Sequence, residues 1–163
     1  MKRFALFLVL LMTALSLFGC GKTKKYTHAE LEIELPKQYT EYNGDESFDL
    51  AFSDGYAVIG VNRISFVAGE ATGIPSYLDE AGFAEYYRGQ IEKETTEISS
   101  FNGVPYFSYE REISGKEYTV LISFYRSKYA HFTVMFIVDS SLSGDYLHQF
   151  IDYIDNVSFN PDK

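Results

Sequence analysis

Two neighbouring stretches, residues 117–126 and 129–138, are apolar on both faces, and they restrict the chain more than any other feature. In the first, Tyr118, Val120, Ile122 and Phe124 share one side, while Leu121 and Tyr125 lie on the other. In the second, Phe132, Val134, Phe136 and Val138 alternate with Met135 and Ile137. Side chains of a strand alternate between faces, so a strand apolar on both has no face to give to water. Such strands lie centrally in a sheet that is covered, at least in part, on both sides.

The flanking pattern supplies the rest of that sheet. Residues 30–35 alternate Glu30, Glu32 and Glu34 with Leu31, Ile33 and Leu35, the mark of a half-buried strand, which Pro36 ends. Residues 37–47 form a polar loop. Residues 48–53 and 56–67 read as strands joined at Asp54-Gly55, a tight two-residue turn signal. Residues 68–75 read as a Gly-rich loop. Ser76 is placed to cap a helix with Asp79 at the capping-box position. Tyr77, Ala81, Ala84, Tyr87 and Ile91 then recur at helical spacing to about residue 94. A four-strand meander follows over 95–101, 104–113, 117–126 and 129–138, with Asn102-Gly103, Ser114-Gly115 and Ser127-Lys128 at its turns. Residues 139–144 are a loop, Ser143 a candidate cap and Asp145 a first-turn acid. Leu147, Phe150, Ile151 and Ile154 stripe a second helix that Asn156 ends, and residues 157–159 add an edge strand. The expected fold is α+β: an antiparallel sheet of about six to eight strands with two main helices packed on it.

At these residues the chain resembles the PsbP-like family of single-domain α/β/α sandwiches. The matching stretches are Ile33-Glu34-Leu35-Pro36, the helix after Pro75, Phe101-Asn102-Gly103-Val104-Pro105, the hairpin over 117–138, and the closing helix with Asn156-Val157-Ser158-Phe159. The resemblance covers residues 29–160. It implies an accessory, assembly or binding role, and it brings no catalytic residue with it.

The first 20 residues carry a different message. Lys2 and Arg3 precede a run, residues 4–19, in which 13 of 16 residues are Phe, Ala, Leu, Val or Met. That is shorter than the roughly 17–25 residues of a membrane-spanning helix and suits an export signal. It closes on Leu17-Phe18-Gly19-Cys20, which resembles the lipobox of bacterial lipoproteins. The resemblance implies cleavage between Gly19 and Cys20, a diacylglycerol thioether on the Cys20 sulfur, and often a third acyl chain on its amine. The domain layout is then a signal peptide over 1–19, a lipidated cysteine and short tether over 20–28, and one α+β domain over 29–163. Two or three acyl chains hold a protein to a bilayer stably where one does not. The protein is expected on the outer face of the cell membrane. Gly21 lacks the aspartate that resembles an inner-membrane retention signal, so the outer membrane stays open in a two-membrane cell.

Composition narrows the partners. The net charge of −9 becomes −11 once Lys2 and Arg3 are removed. An acidic surface repels nucleic acid, which is excluded as a partner. Lys22, Lys24 and Lys25 form a local exception beside the anchor. No residue set points to catalysis, a cofactor or a metal. His28, His131 and His148 lie far apart in sequence. Asp45, Glu46 and Asp49, Asp139 and Asp145, and Asp152 and Asp155 lack the dense alternation of a calcium loop. Gly19-Cys20-Gly21-Lys22-Thr23 has the end of a phosphate-binding loop, but Ser16 stands where its first glycine belongs. The 14 tyrosines leave two readings open. They form a Tyr-rich core and sheet rim, or part of them forms a face for an envelope protein or a small-molecule ligand. A non-catalytic binding lipoprotein is the leading expectation. A hydrolase, which needs a histidine and carboxylates in a cleft, and a lipid or solute carrier, which needs an enclosed apolar pocket, are the alternatives.

Overall fold

The structure is a computed structural model that describes residues 22–43, 47–91 and 96–160. Gly19, Cys20, Asp45, Glu46 and the expected helix end at residue 94 lie outside the described residues. The fold is α+β, and the described residues form ten strands in two antiparallel sheets and three α-helices.

The first strand, β1 (Thr23–His28), pairs with β2 (Leu31–Pro36). The stretch expected as a tether is therefore mostly sheet. Its pattern hid this because Tyr26 alone is buried there, while its lysines face outward, Lys25 on Glu32 at 3.0 Å. After β3 (Thr40–Glu41), β4 (Leu50–Ser53) and β5 (Ala57–Ser65) come α1 (Phe66–Ala71) and α2 (Glu80–Gln90). The meander is β6 (Ser99–Phe101), β7 (Val104–Ile113), β8 (Lys116–Arg126) and β9 (Ala130–Asp139). A short turn of 3-10 helix leads into α3 (Ser143–Ile154) and β10 (Val157–Phe159). The large sheet has the order β3-β4-β5-β9-β8-β7-β6, and the small one β1-β2-β10.

Strands β8 and β9 lie inside the large sheet, as their two-sided apolarity requires. One face meets the small sheet and α3 in a single core. Leu31, Ile33 and Leu35 come from β2, Ile59 and Val61 from β5, Phe132, Val134 and Phe136 from β9, and Phe150 and Ile154 from α3. The other face is covered by α2, whose Phe83 and Ala84 pack with Phe107, Ile122 and Phe124.

Turn chemistry sets the register. Asn102 and Gly103 have φ of 49° and 89°, and Ser114 and Gly115 of 54° and 78°, so both loops are the two-residue type expected. Asp54-Gly55 differs, because the last pair is Ser53 with Val58. The Asp54 carboxylate accepts the N–H groups of Tyr56 and Ala57, at 2.9 and 2.8 Å, and so widens the loop to four residues.

Three helix expectations shift. The first helical residue of α2 is Glu80, three residues later than a cap at Ser76 indicated. Asp79 caps it by accepting the Gly82 N–H at 2.8 Å, while the Ser76 hydroxyl bonds Glu70. The Gly-rich loop opens with α1, capped by Ser65. Gly69 is inside α1 because a Cβ there would meet the Ile74 carbonyl at 3.3 Å, so this glycine serves close approach rather than a break. Ser143 is the first residue of α3 and donates to Ser140 O, while Asp139 caps the preceding turn.

A buried ion pair ties the two sheets together. Glu30 lies in the β1–β2 turn beside Ala29, whose φ is 50°. Its carboxylate accepts from Arg63 of β5 at 3.0 and 3.3 Å and from the Ser127 hydroxyl of the β8–β9 turn at 2.7 Å. Its carbonyl accepts the Asn160 N–H at 2.8 Å. Burial pushes the Glu30 carboxyl up, but the hydrogen bonds from Arg63 and Ser127 outweigh it and hold it below its usual range. His131 is the opposite case, fully buried against Phe83 at 4.6 Å with Nδ1 unpartnered among the described residues. Burial holds its imidazole below the ordinary histidine value.

Two stability predictions follow from these groups. Glu30→Ala leaves the half-buried Arg63 without its counter-charge, and urea unfolding should show a loss of about 1–3 kcal/mol. A histidine depressed in the folded state contributes stability that is complete above its unfolded pKa, about 6.5, and is lost as pH falls through that value. Unfolding free energy should therefore decline from pH 7 to pH 5, and His131→Gln should flatten that slope whatever it does to the absolute value.

Candidate functional site

The α2 face of the large sheet is only half covered. Phe83 sits edge-on to Phe124 at 5.5 Å, and Tyr87 meets the same ring at 5.6 Å. The helix ends at Gln90, and toward the β7–β8 turn the sheet face stays open. A groove of about 340 Å³ lies there. Val120 of β8 stands beside Ile137 of β9, and with Met135 they make an aliphatic floor. Tyr87, Tyr109, Arg111 and Ile113 line one side, and Phe48 and Asn62 the other. The walls stand on β7 and β5, three strand spacings apart, or about 14 Å.

The Phe48 wall depends on Gly60. A Cβ at Gly60 would fall 2.3 Å from the Phe48 ring, so the ring occupies the space a side chain would need. The opposite wall is polar at its rim. Burial pushes the Tyr87 phenol up to about 12, with Tyr109 adding and Arg111 opposing. Burial likewise raises Tyr109 against Arg111. Both phenols keep their protons at neutral pH. Arg111 is exposed and makes no ion pair among the described residues.

A second groove, of about 400 Å³, lies at the opposite end of the sandwich beside Glu30, Ser127, Tyr129 and Phe159. Its charged groups already have partners. Glu30 holds Arg63 and Ser127, Arg126 donates to Ser76 O at 3.2 Å, and Lys128 lies over the Tyr129 ring. The sheet-face groove is the better candidate because among the described residues its cation makes no ion pair.

The residues singled out by sequence do not converge. His28 ends β1, His131 is buried beneath α2, and His148 is exposed on α3. Among the described residues no three His, Cys, Asp or Glu side chains gather as a metal site. The acids have structural work. Asp49 accepts the Arg63 N–H, Asp155 bonds Asn102, and Asp139 pairs with Lys116 at 2.7 Å. The Lys116 hydrogen bond, then those from Ser141, hold the Asp139 carboxyl down to about 2.

The tyrosines divide between the two readings. Tyr26, Tyr39, Tyr125 and Tyr153 are core, Tyr42, Tyr56, Tyr77 and Tyr129 are exposed, and Tyr87 and Tyr109 flank the groove. Sequence reasoning missed Phe48, Gly60, Asn62 and Arg111. Gly60 carried a usable signal, since a lone glycine inside a strand pattern marks close approach of another group.

No family model matches the chain, and no curated protein matches it. Solved structures do. A crystal structure from Bacteroides thetaiotaomicron superposes with a TM-score of 0.57 at 11% identity over 86% of this chain, which spans 49% of that protein. The solution structure of PsbP from the cyanobacterium Synechocystis (CyanoP) matches with a TM-score of 0.53 at 9% identity, covering 87% of this chain and 96% of that one. LpqN of Mycobacterium tuberculosis, described as involved in cell envelope biogenesis, matches with a TM-score of 0.52 at 10% identity, covering 85% and 91%. These likenesses establish the fold. Among the described residues no helix is long and apolar enough to cross a membrane.

The Gly60–Phe48 contact gives a direct check on the groove wall. Gly60→Ala should displace the ring and cost about 1–3 kcal/mol by overpacking. Thermal unfolding should show a lowered midpoint, and the Phe48 ring resonances should shift.

Proposed function

We propose that this chain is an exported lipoprotein, cut before Cys20 and held by acyl chains on that residue at the outer face of the cell membrane. Its domain is a non-catalytic binding module that works through the half-open face of the large sheet, in an accessory role in the cell envelope. The observation that carries this reading is the groove between Tyr87, Tyr109 and Phe48. It is a concave, partly exposed aliphatic sheet face bounded by aromatic side chains, with a charged group at its rim, the make-up of ligand sites in general. The signal run and Leu17-Phe18-Gly19-Cys20 support the anchor. The PsbP-like fold and the description of LpqN are in keeping with an envelope role.

Cell fractionation tests the anchor. The wild-type chain should sediment with membranes, and Cys20→Ala should not be acylated and should leave the membrane fraction. Co-purification from the same membranes tests the accessory role. An envelope protein recovered with the anchored chain and lost with Ile137→Glu would support it. Equal membrane association of wild type and Cys20→Ala would overturn the anchor.

A further inference from the structure

We propose that the sheet-face groove takes a single-chain anionic amphiphile, with its apolar chain along the half-buried Met135 and Ile137 of the floor and its carboxylate on Arg111. This rests on the reading of that groove as the binding surface and names the chemistry it receives.

Three features point to this class of ligand. The floor is aliphatic, and the unbranched thioether of Met135 adapts to irregular apolar shapes. Among the described lining residues Arg111 carries the only formal charge. On a chain of net charge −9, a guanidinium with no ion pair among the described residues is a local site for an anion. Its planar fork fits a carboxylate with two parallel hydrogen bonds. The Tyr87 and Tyr109 phenols line the groove beside it and hold their protons at neutral pH, so they add no negative charge there.

Size and shape agree. The volume of about 340 Å³ lies at the small end of ligand sites, which begin near 300 Å³. That volume is enough for one short alkyl chain and too small for a two-chain lipid. The groove is open along its length, so a bound chain keeps one side toward solvent. The groove therefore favours exchange over tight sequestration.

Met135 supplies a reporter on the floor itself, because the other two methionines, Met1 and Met12, fall in the signal segment. The full chain is labelled with methyl-¹³C methionine and titrated below micelle formation with dodecanoate, dodecyl maltoside or dodecylammonium. The Met135 methyl resonance should move saturably with dodecanoate, at about tenfold lower concentration than with the uncharged surfactant, and least readily with the cation. Arg111→Gln, a change at an exposed position, should erase the preference for dodecanoate and leave the response to dodecyl maltoside in place. The proposal is overturned by any of three results: no movement with dodecanoate, equal midpoints for all three surfactants, or an unchanged preference in Arg111→Gln. If Met135 stays still with every surfactant while Ile137→Glu still abolishes capture of an envelope protein, the amphiphile is wrong and the binding module stands.

Discussion

A sheet whose central strands are apolar on both faces has to be covered twice, and this chain covers one face more fully than the other. The face holding Phe132, Val134 and Phe136 receives the three-stranded sheet and the twelve residues of α3. The opposite face receives mainly the eleven residues of α2, two of them glycine. Gly82 and Gly89 each weaken a helix by about 1 kcal/mol relative to alanine, so α2 depends on its packing to form. It packs where aromatic surface is densest, on Phe107, Ile122 and Phe124, and leaves Met135 and Ile137 half-buried at the groove. The candidate site is thus the remainder of an incomplete covering.

The same asymmetry divides the charged groups. At the Glu30 end, an acid, a base and a hydroxyl from three distant segments satisfy one another in a buried network. The pair joins the small sheet to the large one, and removing Arg63 would strand the Glu30 carboxylate, which is 5% exposed. At the other end of the large sheet Arg111 has no such counterpart among the described residues. This cation stands next to phenols and aliphatic side chains at the rim of the groove.

Much of the architecture was legible in the sequence because it rests on period-two alternation and tight-turn pairs. The meander, the Asn102-Gly103 turn, the α3 stripe and the closing strand all follow from spacing over a few residues. Strand β1 was not legible, since Thr23, Lys24, Lys25, Thr27 and His28 show water-facing chemistry and only its partner β2 makes it a strand. Helix α1 was hidden because Gly69 and Gly73 read as breakers, whereas Gly69 serves a backbone approach that sequence alone does not display. The groove was the least legible part. Phe48, Gly60, Tyr109 and Arg111 come from different elements, and only the strand order of the large sheet brings them together.

The pairing of β1 has a consequence for how far the domain travels. Under the anchoring proposed at Cys20, residues 21–28 as a free coil would let the domain swing on a leash of about 15 Å root-mean-square length. With Thr23 already fixed in the sheet, only Gly21 and Lys22 stand between Cys20 and β1, a reach of about 10 Å at full stretch. A chain held there by acyl groups would explore its surroundings in two dimensions, by lateral diffusion within the leaflet. Whatever it met would have to lie at, or come down to, the membrane surface.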